Sequence, residues 1–339
     1  MEKEERRNGT KVKEKTIIIT GASGFLGKMI LKKLSWHYKV IGLARSLDMS
    51  EIALLPQDKS RGLRVAISEH AQKHAPHFSA GSVFDKSLIS IDLLDESRLR
   101  EIFQTYKPEI VIHCAAMTDV NSCEKEKDNA FKSNVVATSH LVKFCKKYNS
   151  KLIFISTDAV FDGKKGNYLE EDKVCPINVY GKTKAEAEKL VRNLDDYMII
   201  RTAVLYGRGG KKFINKMIDK LEKNENVEAA NDIMRSPTLV DNVAEGIKVA
   251  IKKEIRGILH IAGDTKDSLY NITRKIAVAL KKDISLVKPC PISKYEQGIA
   301  PQPRDTTLNI KKAKSIGINL LTIEEGILFL KEGSSNPNV

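Results

Sequence analysis

Short, unbroken apolar runs alternate with amphipathic stretches over the first two thirds of the chain. The runs fall at Thr16–Thr20, Val40–Leu43, Leu88–Ile91, Ile110–Cys114, Leu152–Ser156 and Met198–Arg201. None shows the in–out alternation of a half-exposed strand, so each predicts a strand buried on both faces. Between them, stretches such as Ser97–Tyr106 and Ala130–Tyr148 carry apolar residues at helical spacing. Strands alternating with helices predict a parallel, doubly wound α/β sheet. After Arg201 the pattern loosens. Helices are expected over Lys211–Lys223, Leu239–Lys253, Ser268–Lys282 and Ile310–Ile316, and a strand over Gly257–Ala262. The expected organisation is a sheet domain over 16–206, to which 236–263 returns, and a smaller C-terminal lobe from 207–235 and 264–332.

Residues 1–15 alternate acidic and basic side chains with no apolar face and read as a disordered tail; 333–339 read as a frayed end. Residues 47–86 form a longer connection than a strand–helix–strand crossover needs. A helix near Arg64–His74 is expected there, and a functional and a disordered segment are both open. The same stretch holds His70, His74 and His77, two of which could share a helix face and bind zinc. Pro76 interrupts that helix and no cysteine is near, so a solvated polar face is the better account and no metal is expected.

Composition narrows the class. With 42% hydrophobic and 29% charged residues the chain is globular rather than disordered. Lys and Arg exceed Asp and Glu by 14 (57 against 43), which favours anionic partners on top of a solvated lysine-rich surface. Basic and aromatic residues do not interleave as in single-strand binders, which argues against nucleic acid as the partner. Five dispersed cysteines, odd in number and without Cys-x-x-Cys spacing, suit a reducing compartment. No leader and no spanning segment is recognisable, so a cytoplasmic protein without a membrane partner is expected.

The segment Thr16-Ile-Ile-Ile-Thr-Gly-Ala-Ser-Gly-Phe-Leu-Gly27 is a strand, a glycine turn and a helix start. Gly21 permits the turn, Gly24 lets backbone amides approach a pyrophosphate, and Gly27 lets helix and strand pack closely. Ser23, Phe25 and Leu26 complete this cofactor loop. The spacing, Gly-x-x-Gly-x-x-Gly, resembles that of extended short-chain dehydrogenase/reductases, and so implies a Rossmann fold. Where an NAD enzyme usually places an acid at the end of the second strand, this chain has Arg45, whose guanidinium suits a 2′-phosphate. NADP, as NADPH, is therefore the expected cofactor, with NAD still open. In the family resembled, the position of Asp92, followed by Leu93, meets the adenine; a helix cap before Leu93–Glu96 is compatible with that role.

Tyr180-Gly-Lys-Thr-Lys184 places Tyr and Lys on one helix face. A carbonyl reductase needs an acid for the nascent alkoxide, and a tyrosine of ordinary pKa about 10 needs its anion stabilised. A lysine one turn away supplies that field and can hold the nicotinamide ribose. Thr157, at the end of the fifth strand and 23 residues before Tyr180, can hydrogen-bond the same substrate oxygen. Asn134 either anchors a water near Lys184 or is an ordinary polar residue on its helix.

Ile155-Ser-Thr-Asp-Ala-Val-Phe-Asp-Gly163, Pro176-Ile-Asn-Val-Tyr-Gly-Lys-Thr-Lys-Ala-Glu186, Arg201-Thr-Ala-Val-Leu-Tyr-Gly207, Arg235-Ser-Pro-Thr238 and Pro303-Arg-Asp305 resemble dTDP-4-dehydrorhamnose reductases, in order, from about Thr16 to about Phe329. The resemblance implies that Thr157, Asp158, Tyr180 and Lys184 occupy catalytic positions. It also implies that Ala115, Ala116 and Thr118 line the nicotinamide side. The substrate would be a nucleotide-activated deoxysugar reduced at its 4-keto group, touched by Thr118, Thr157, Asp158 and Val204, with Arg304 at its diphosphate or at a lobe contact. Met117 and Val204 stand where such reductases often carry aromatic residues. Two rivals remain. One is a nucleotide-sugar epimerase or dehydratase, for which Asp158 would be the added acid. The other is a non-catalytic regulatory subunit resembling the methionine adenosyltransferase beta subunit, which keeps Tyr-x-x-x-Lys. A homodimer is open under every reading.

Overall fold

The computed structural model describes residues 15–46, 88–210, 212–294 and 300–332. The expected helix near Arg64–His74, the three histidines and both terminal tails lie outside the described residues.

Among the described residues, seven parallel strands form one sheet: β1 (Thr16–Thr20), β2 (Lys39–Ala44), β3 (Leu88–Ser90), β4 (Ile110–His113), β5 (Lys151–Thr157), β6 (Tyr197–Thr202) and β11 (Gly257–His260), in the order β11-β6-β5-β4-β1-β2-β3. Successive side chains of β1 enter different cores: Ile17 and Ile19 one, Ile18 the other. Burial on both faces explains why these strands carry no polar alternation. On one face lie helices α1 (Phe25–Leu34) and, later in the chain, Val240–Lys252, which contribute Ile30, Leu31, Val243 and Ile247. On the other lie α2 (Glu96–Tyr106), the helical run 127–148 and the helix Val179–Val191, with Phe103, Phe144 and Val191.

The helical run departs from the single helix expected over Ala130–Tyr148. After α3 (Val120–Lys125) come α4 (Lys127–Phe131), a π-helical turn at Lys132–Val136, and α5 (Ala137–Tyr148). Such bulges rotate side chains off the regular helical face, and this one turns Asn134 inward. Helix α6 (Val179–Val191) starts at Asn178, whose side chain accepts from the Gly181 amide. A buried ion pair ties it to the sheet: Arg201 on β6 donates from Nε and Nη2 to Glu188 at 2.9 and 2.8 Å, and Ser156 Oγ donates to Glu188 at 2.6 Å.

A third core lies among α7 (Phe213–Glu222), β8 (Val227–Ala230), α9 (Leu269–Ala279), β13 (Val287–Cys290) and α11 (Ile323–Glu332), filled by Ile214, Leu221, Ile272, Ile276 and Ile323. Strand pairs β7 (Leu205–Tyr206) with β10 (Thr238–Leu239), β9 (Met234–Arg235) with β12 (Asp267–Ser268), and β8 with β13 stitch this part. Between them α8 (Val240–Lys252) packs back on α1, and α10 (Lys311–Ser315) lies beside β11.

Candidate active site

The carboxyl ends of β1, β4, β5 and β6 share one edge of the sheet. After β1 the chain turns at Gly21 (φ +67°), where a Cβ would stand 2.7 Å from the Ala115 amide nitrogen at the end of β4. A Cβ on Gly27 would meet the Gly21 carbonyl at 2.1 Å. The two glycines thus let strand, turn and helix close on one another. Gly24, exposed and without a capping side chain, opens α1 and donates its amide to Gly21 O at 2.9 Å. Ser23 and Phe25 flank the turn half-buried, and Leu26 is in the core. This backbone cradle, with uncapped amides at a helix N-terminus, fits the pyrophosphate of a dinucleotide. Arg45 is exposed just past β2, its carbonyl accepting from Ser90 Oγ at 3.3 Å. Asp92 does not cap the next helix. Its carboxylate accepts from the Leu94 amide at 3.0 Å, a local turn, while Asp95 caps α2 through the Arg98 amide at 3.0 Å. The reason is register: Asp92 stands four residues before the first helical residue. Leu93 is buried beneath, with His140 on its carbonyl.

Beyond β4 a chain of hydrogen bonds fixes the loop Ala115–Thr118. Thr20 Oγ1 lies 2.6 Å from His113 Nδ1 and accepts from the Ala115 amide, while His113 Nε2 lies 3.1 Å from Thr138 Oγ1. Thr138 donates to the Asn134 carbonyl at 2.7 Å, so His113 must be the donor to Thr138 and the acceptor from Thr20. Burial, helped by the charge of Lys184, brings His113 down to about 3 and keeps it neutral. The Asn134 amide accepts from Met117 N at 2.8 Å and donates to Met117 O at 3.0 Å and to Thr183 Oγ1 at 2.9 Å. It therefore pins the loop carrying Ala116 and Thr118 to the helix carrying Tyr180.

Tyr180, in the first turn of α6, faces the Thr157 hydroxyl at the end of β5. Burial raises its pKa; the Thr157 hydrogen bond opposes this, and the Asp158 charge adds to it. Thr157 Oγ1 accepts from the Ala159 amide at 3.1 Å and donates to Asp158 Oδ1 at 3.1 Å. Asp158 is buried, and its other oxygen accepts from Thr306 Oγ1 at 2.5 Å. Burial raises its carboxyl pKa, opposed first by the Arg235 guanidinium. One turn beyond Tyr180, Lys184 is buried, donates to Ile155 O at 2.6 Å and lies 3.9 Å from the Phe154 ring centre. Burial brings it down to about 7, and pushes the neighbouring Cys114 thiol up to about 12.

The structure thus brings Thr157, Asp158, Tyr180 and Lys184 together, with Ala115, Ala116 and Asn134 alongside. Val204, half-buried between β6 and β7, holds the Thr238 amide on its carbonyl. Arg304 is exposed and ion-paired with Asp232 at 2.5 Å. Thr118 is exposed and accepts from Lys212 Nζ at 2.9 Å. No local spacing in the sequence singles out Lys212, Thr306 or His113, or an individual role for Arg235. Arg235 donates to the carbonyls of Met234, Pro303 and Arg304. Only its place in the Arg-Ser-Pro-Thr motif signalled it. Among the described residues no three His, Cys, Asp or Glu side chains form a metal-binding group.

A seven-stranded parallel sheet with a glycine cradle after β1 and a Thr/Tyr/Lys cluster at the same edge defines the architecture of an extended short-chain dehydrogenase/reductase. The chain belongs to the family described as the RmlD substrate binding domain, whose model matches residues 15–328. It is 30% identical over 288 residues to a dTDP-4-keto-6-deoxy-D-glucose reductase of Streptomyces niveus, covering 83% of this chain and 91% of that protein. It is 28% identical over 324 residues to methionine adenosyltransferase 2 subunit beta of Xenopus laevis, covering 92% and 85%. The structure of dTDP-4-dehydrorhamnose reductase from Bacillus anthracis str. Ames in complex with NADP superposes with a TM-score of 0.76 at 25% identity, over 94% of this chain and 99% of that one.

Proposed function

We propose that the protein reduces the 4-keto group of a nucleotide-activated deoxysugar, with dTDP-4-dehydro-L-rhamnose the first candidate and NADPH the electron donor. The observation that carries this reading is the convergence of Tyr180, the Thr157 hydroxyl and the buried Lys184 on the sheet edge that also carries the glycine cradle. The cradle Gly21–Gly27 would hold the pyrophosphate, Arg45 the 2′-phosphate, Asp92 and Leu93 the adenine end, and Ala115, Ala116, Asn134 and Lys184 the nicotinamide half. Bound NADPH supplies the hydride. The protein must then bind the sugar, orient its carbonyl and deliver a proton to the carbonyl oxygen. Tyr180 suits the last task by position, its hydroxyl meeting Thr157 at the sheet edge; burial raises its pKa, so a group that stabilises its anion is still required. Thr157 fixes that hydroxyl, and Lys184 contributes positive charge one turn away. Residues 16–206 with 236–263 form the cofactor domain in this account, and 207–235 with 264–332 the substrate lobe. Val204 and Thr118 border the sugar; Arg304, bound to Asp232, serves as a lobe contact.

The Asp158 carboxylate is bound to Thr157 and Thr306, which favours a reductase over a dehydratase needing a free second acid. The Xenopus likeness supports one other reading, a regulatory subunit with an idle site. One experiment separates them. Purified protein should oxidise NADPH when given a dTDP-4-keto-6-deoxysugar and not with simple ketones, and Tyr180→Phe should lower kcat by about 100-fold while cofactor affinity holds. No NADPH consumption, together with stable capture of a methionine adenosyltransferase catalytic subunit, would replace the reductase reading with the regulatory one.

A further inference from the structure

A sugar nucleotide carries a diphosphate, and that group needs a cation in the cleft. Several basic side chains of this region are committed. Arg304 is ion-paired with Asp232, Arg235 donates to the carbonyls of Met234, Pro303 and Arg304, and Arg208 donates to Leu330 O. Lys212 differs. Among the described residues it forms no ion pair, and its Nζ donates at 2.9 Å to the Thr118 hydroxyl, a neutral acceptor that an ammonium can leave for an anion. This contact runs from the start of α7, in the lobe, to the loop after β4, so the cation stands between the lobe and the sheet edge. Neighbouring groups desolvate it and lower its pKa, while the charge of Asp119 raises it; Asp119 itself accepts from the Ser122 amide at 2.7 Å. The turn before Lys212 is fixed. Asn215 accepts from Gly207 N at 3.3 Å and donates to Gly207 O at 2.7 Å, and Gly210 N donates to Gly207 O at 3.1 Å. A Cβ on Gly210 would stand 3.0 Å from the Phe25 ring, so the turn fits closely against the first residue of α1. Lys212 also breaks a local rule. It occupies the N-cap of α7, a place that favours Ser, Thr, Asp or Asn, and the first turn holds no acid. A cation at the positive end of a helix is unfavourable, and local costs of this kind gather at functional positions.

We propose that Lys212 binds the diphosphate of the sugar nucleotide, exchanging its hydrogen bond to Thr118 for one to a phosphate oxygen. The proposal rests on the reductase reading and names the group that holds the charged half of its substrate. A dinucleotide carries a pyrophosphate too, but the backbone cradle Gly21–Gly27 suits that one, whereas Lys212 arrives from the lobe and reaches the loop after β4. An ammonium is a compact charge with three donors on a flexible stem, so it can follow a phosphate oxygen without a fixed approach angle.

The test is calorimetric titration with dTDP, UDP and NADPH of the wild type, Lys212→Met, Lys212→Arg and Lys220→Met, the nucleoside diphosphates with and without saturating NADP+. Lys212→Met should weaken the nucleoside diphosphate about 10- to 100-fold, the range for losing a hydrogen bond between charged groups. Its Kd for NADPH should stay within about threefold of wild type, and its remaining affinity for the diphosphate should depend less on salt. Lys212→Arg should recover most of the loss. Lys220 is exposed about two turns further along α7, beyond a Debye length at physiological salt, so Lys220→Met should leave the diphosphate Kd unmoved. An unchanged diphosphate Kd in Lys212→Met, an equal loss in Lys220→Met, or a loss confined to NADPH overturns the assignment of Lys212 alone. So does a joint loss of both ligands with a fall in the denaturation midpoint, which would mark Lys212 as structural. A wild type that binds neither dTDP nor UDP, with or without NADP+, overturns the nucleotide-sugar reading and the assignment with it.

Discussion

Gly181, next to the proposed acid, offers the sharpest test of how the site is held. A Cβ there would stand 2.1 Å from the Ala159 carbonyl oxygen and 2.9 Å from Pro176 Cβ. The first contact is with backbone, so neither partner can swing aside, and α6 and the segment after β5 must separate by about 1 Å to reach van der Waals distance. That separation is also the spacing between Tyr180 on α6 and Thr157 on β5. In Gly181→Ala the better helix propensity contributes about 1 kcal/mol, against about 1–3 kcal/mol for overpacking. The net loss of stability should therefore be no more than about 2 kcal/mol, and the protein should still fold. A shift of about 1 Å at reacting groups, by contrast, costs about 100-fold in rate. We predict a kcat lowered by about 100-fold with the Kd for NADPH within about threefold of wild type, measured by steady-state NADPH oxidation and fluorescence titration. Wild-type kcat in a folded Gly181→Ala protein would show that the Tyr180–Thr157 spacing does not limit the reaction.

Arg45→Ala should erase most of a preference for NADPH over NADH in binding titrations, because Arg45 stands exposed where the 2′-phosphate would lie; a wild type that prefers NADH contradicts the assignment. Glu188→Gln should destabilise the fold by about 3–5 kcal/mol, as expected for leaving the buried Arg201 guanidinium without its anion, read as a fall in the denaturation midpoint. Burial pushes the Glu188 carboxyl up, but Arg201, Ser156 and Arg192 outweigh it and hold it below the ordinary value of 4.5. The stabilisation is thus complete above about pH 5 and is lost as pH falls through the depressed value. A gap between wild type and Glu188→Gln that stays constant as pH falls through that acid range would contradict this.

The sheet was legible because its central strands are buried on both faces, which writes a continuous apolar run into the chain. Thr16–Thr20 is expected and observed with the same ends, and Leu152–Ser156 grows by one residue at each end. The two-residue strands β7, β9, β10 and β12 are too short to show any period. Helix α11 has a start written in the sequence as Thr-x-x-Glu: Thr322 and Glu325 form a reciprocal cap, Thr322 N to Glu325 Oε2 at 2.8 Å and Glu325 N to Thr322 Oγ1 at 3.2 Å. In the site, Tyr180 and Lys184 are one turn apart and locally encoded. Thr306 reaches Asp158 across 148 positions, and no local spacing announces such a contact. Asn134 shows the same limit. Its type and place in a helix were visible, but the π-helical turn that aims its amide at Met117 and Thr183 depends on packing against α6.

The energetics of the site bear on whether it is in use. Burying Lys184 costs enough to bring its pKa down to about 7, and burying Asp158 raises its own. Neither cost is recovered by a close ion pair of the kind that joins Arg201 to Glu188, because Lys184 ends on a backbone carbonyl and a ring face and Asp158 takes its hydrogen bonds from hydroxyls. Apolar residues of similar size would generally serve packing as well or better. A fold selected only to dock a partner through its surface gains nothing from keeping these groups desolvated at the sheet edge. A fold that must place a tyrosine, a hydroxyl and a positive charge around one reacting oxygen gains from holding these groups there. Strain of this kind gathers where local stability is given up for function, and here it gathers around Tyr180.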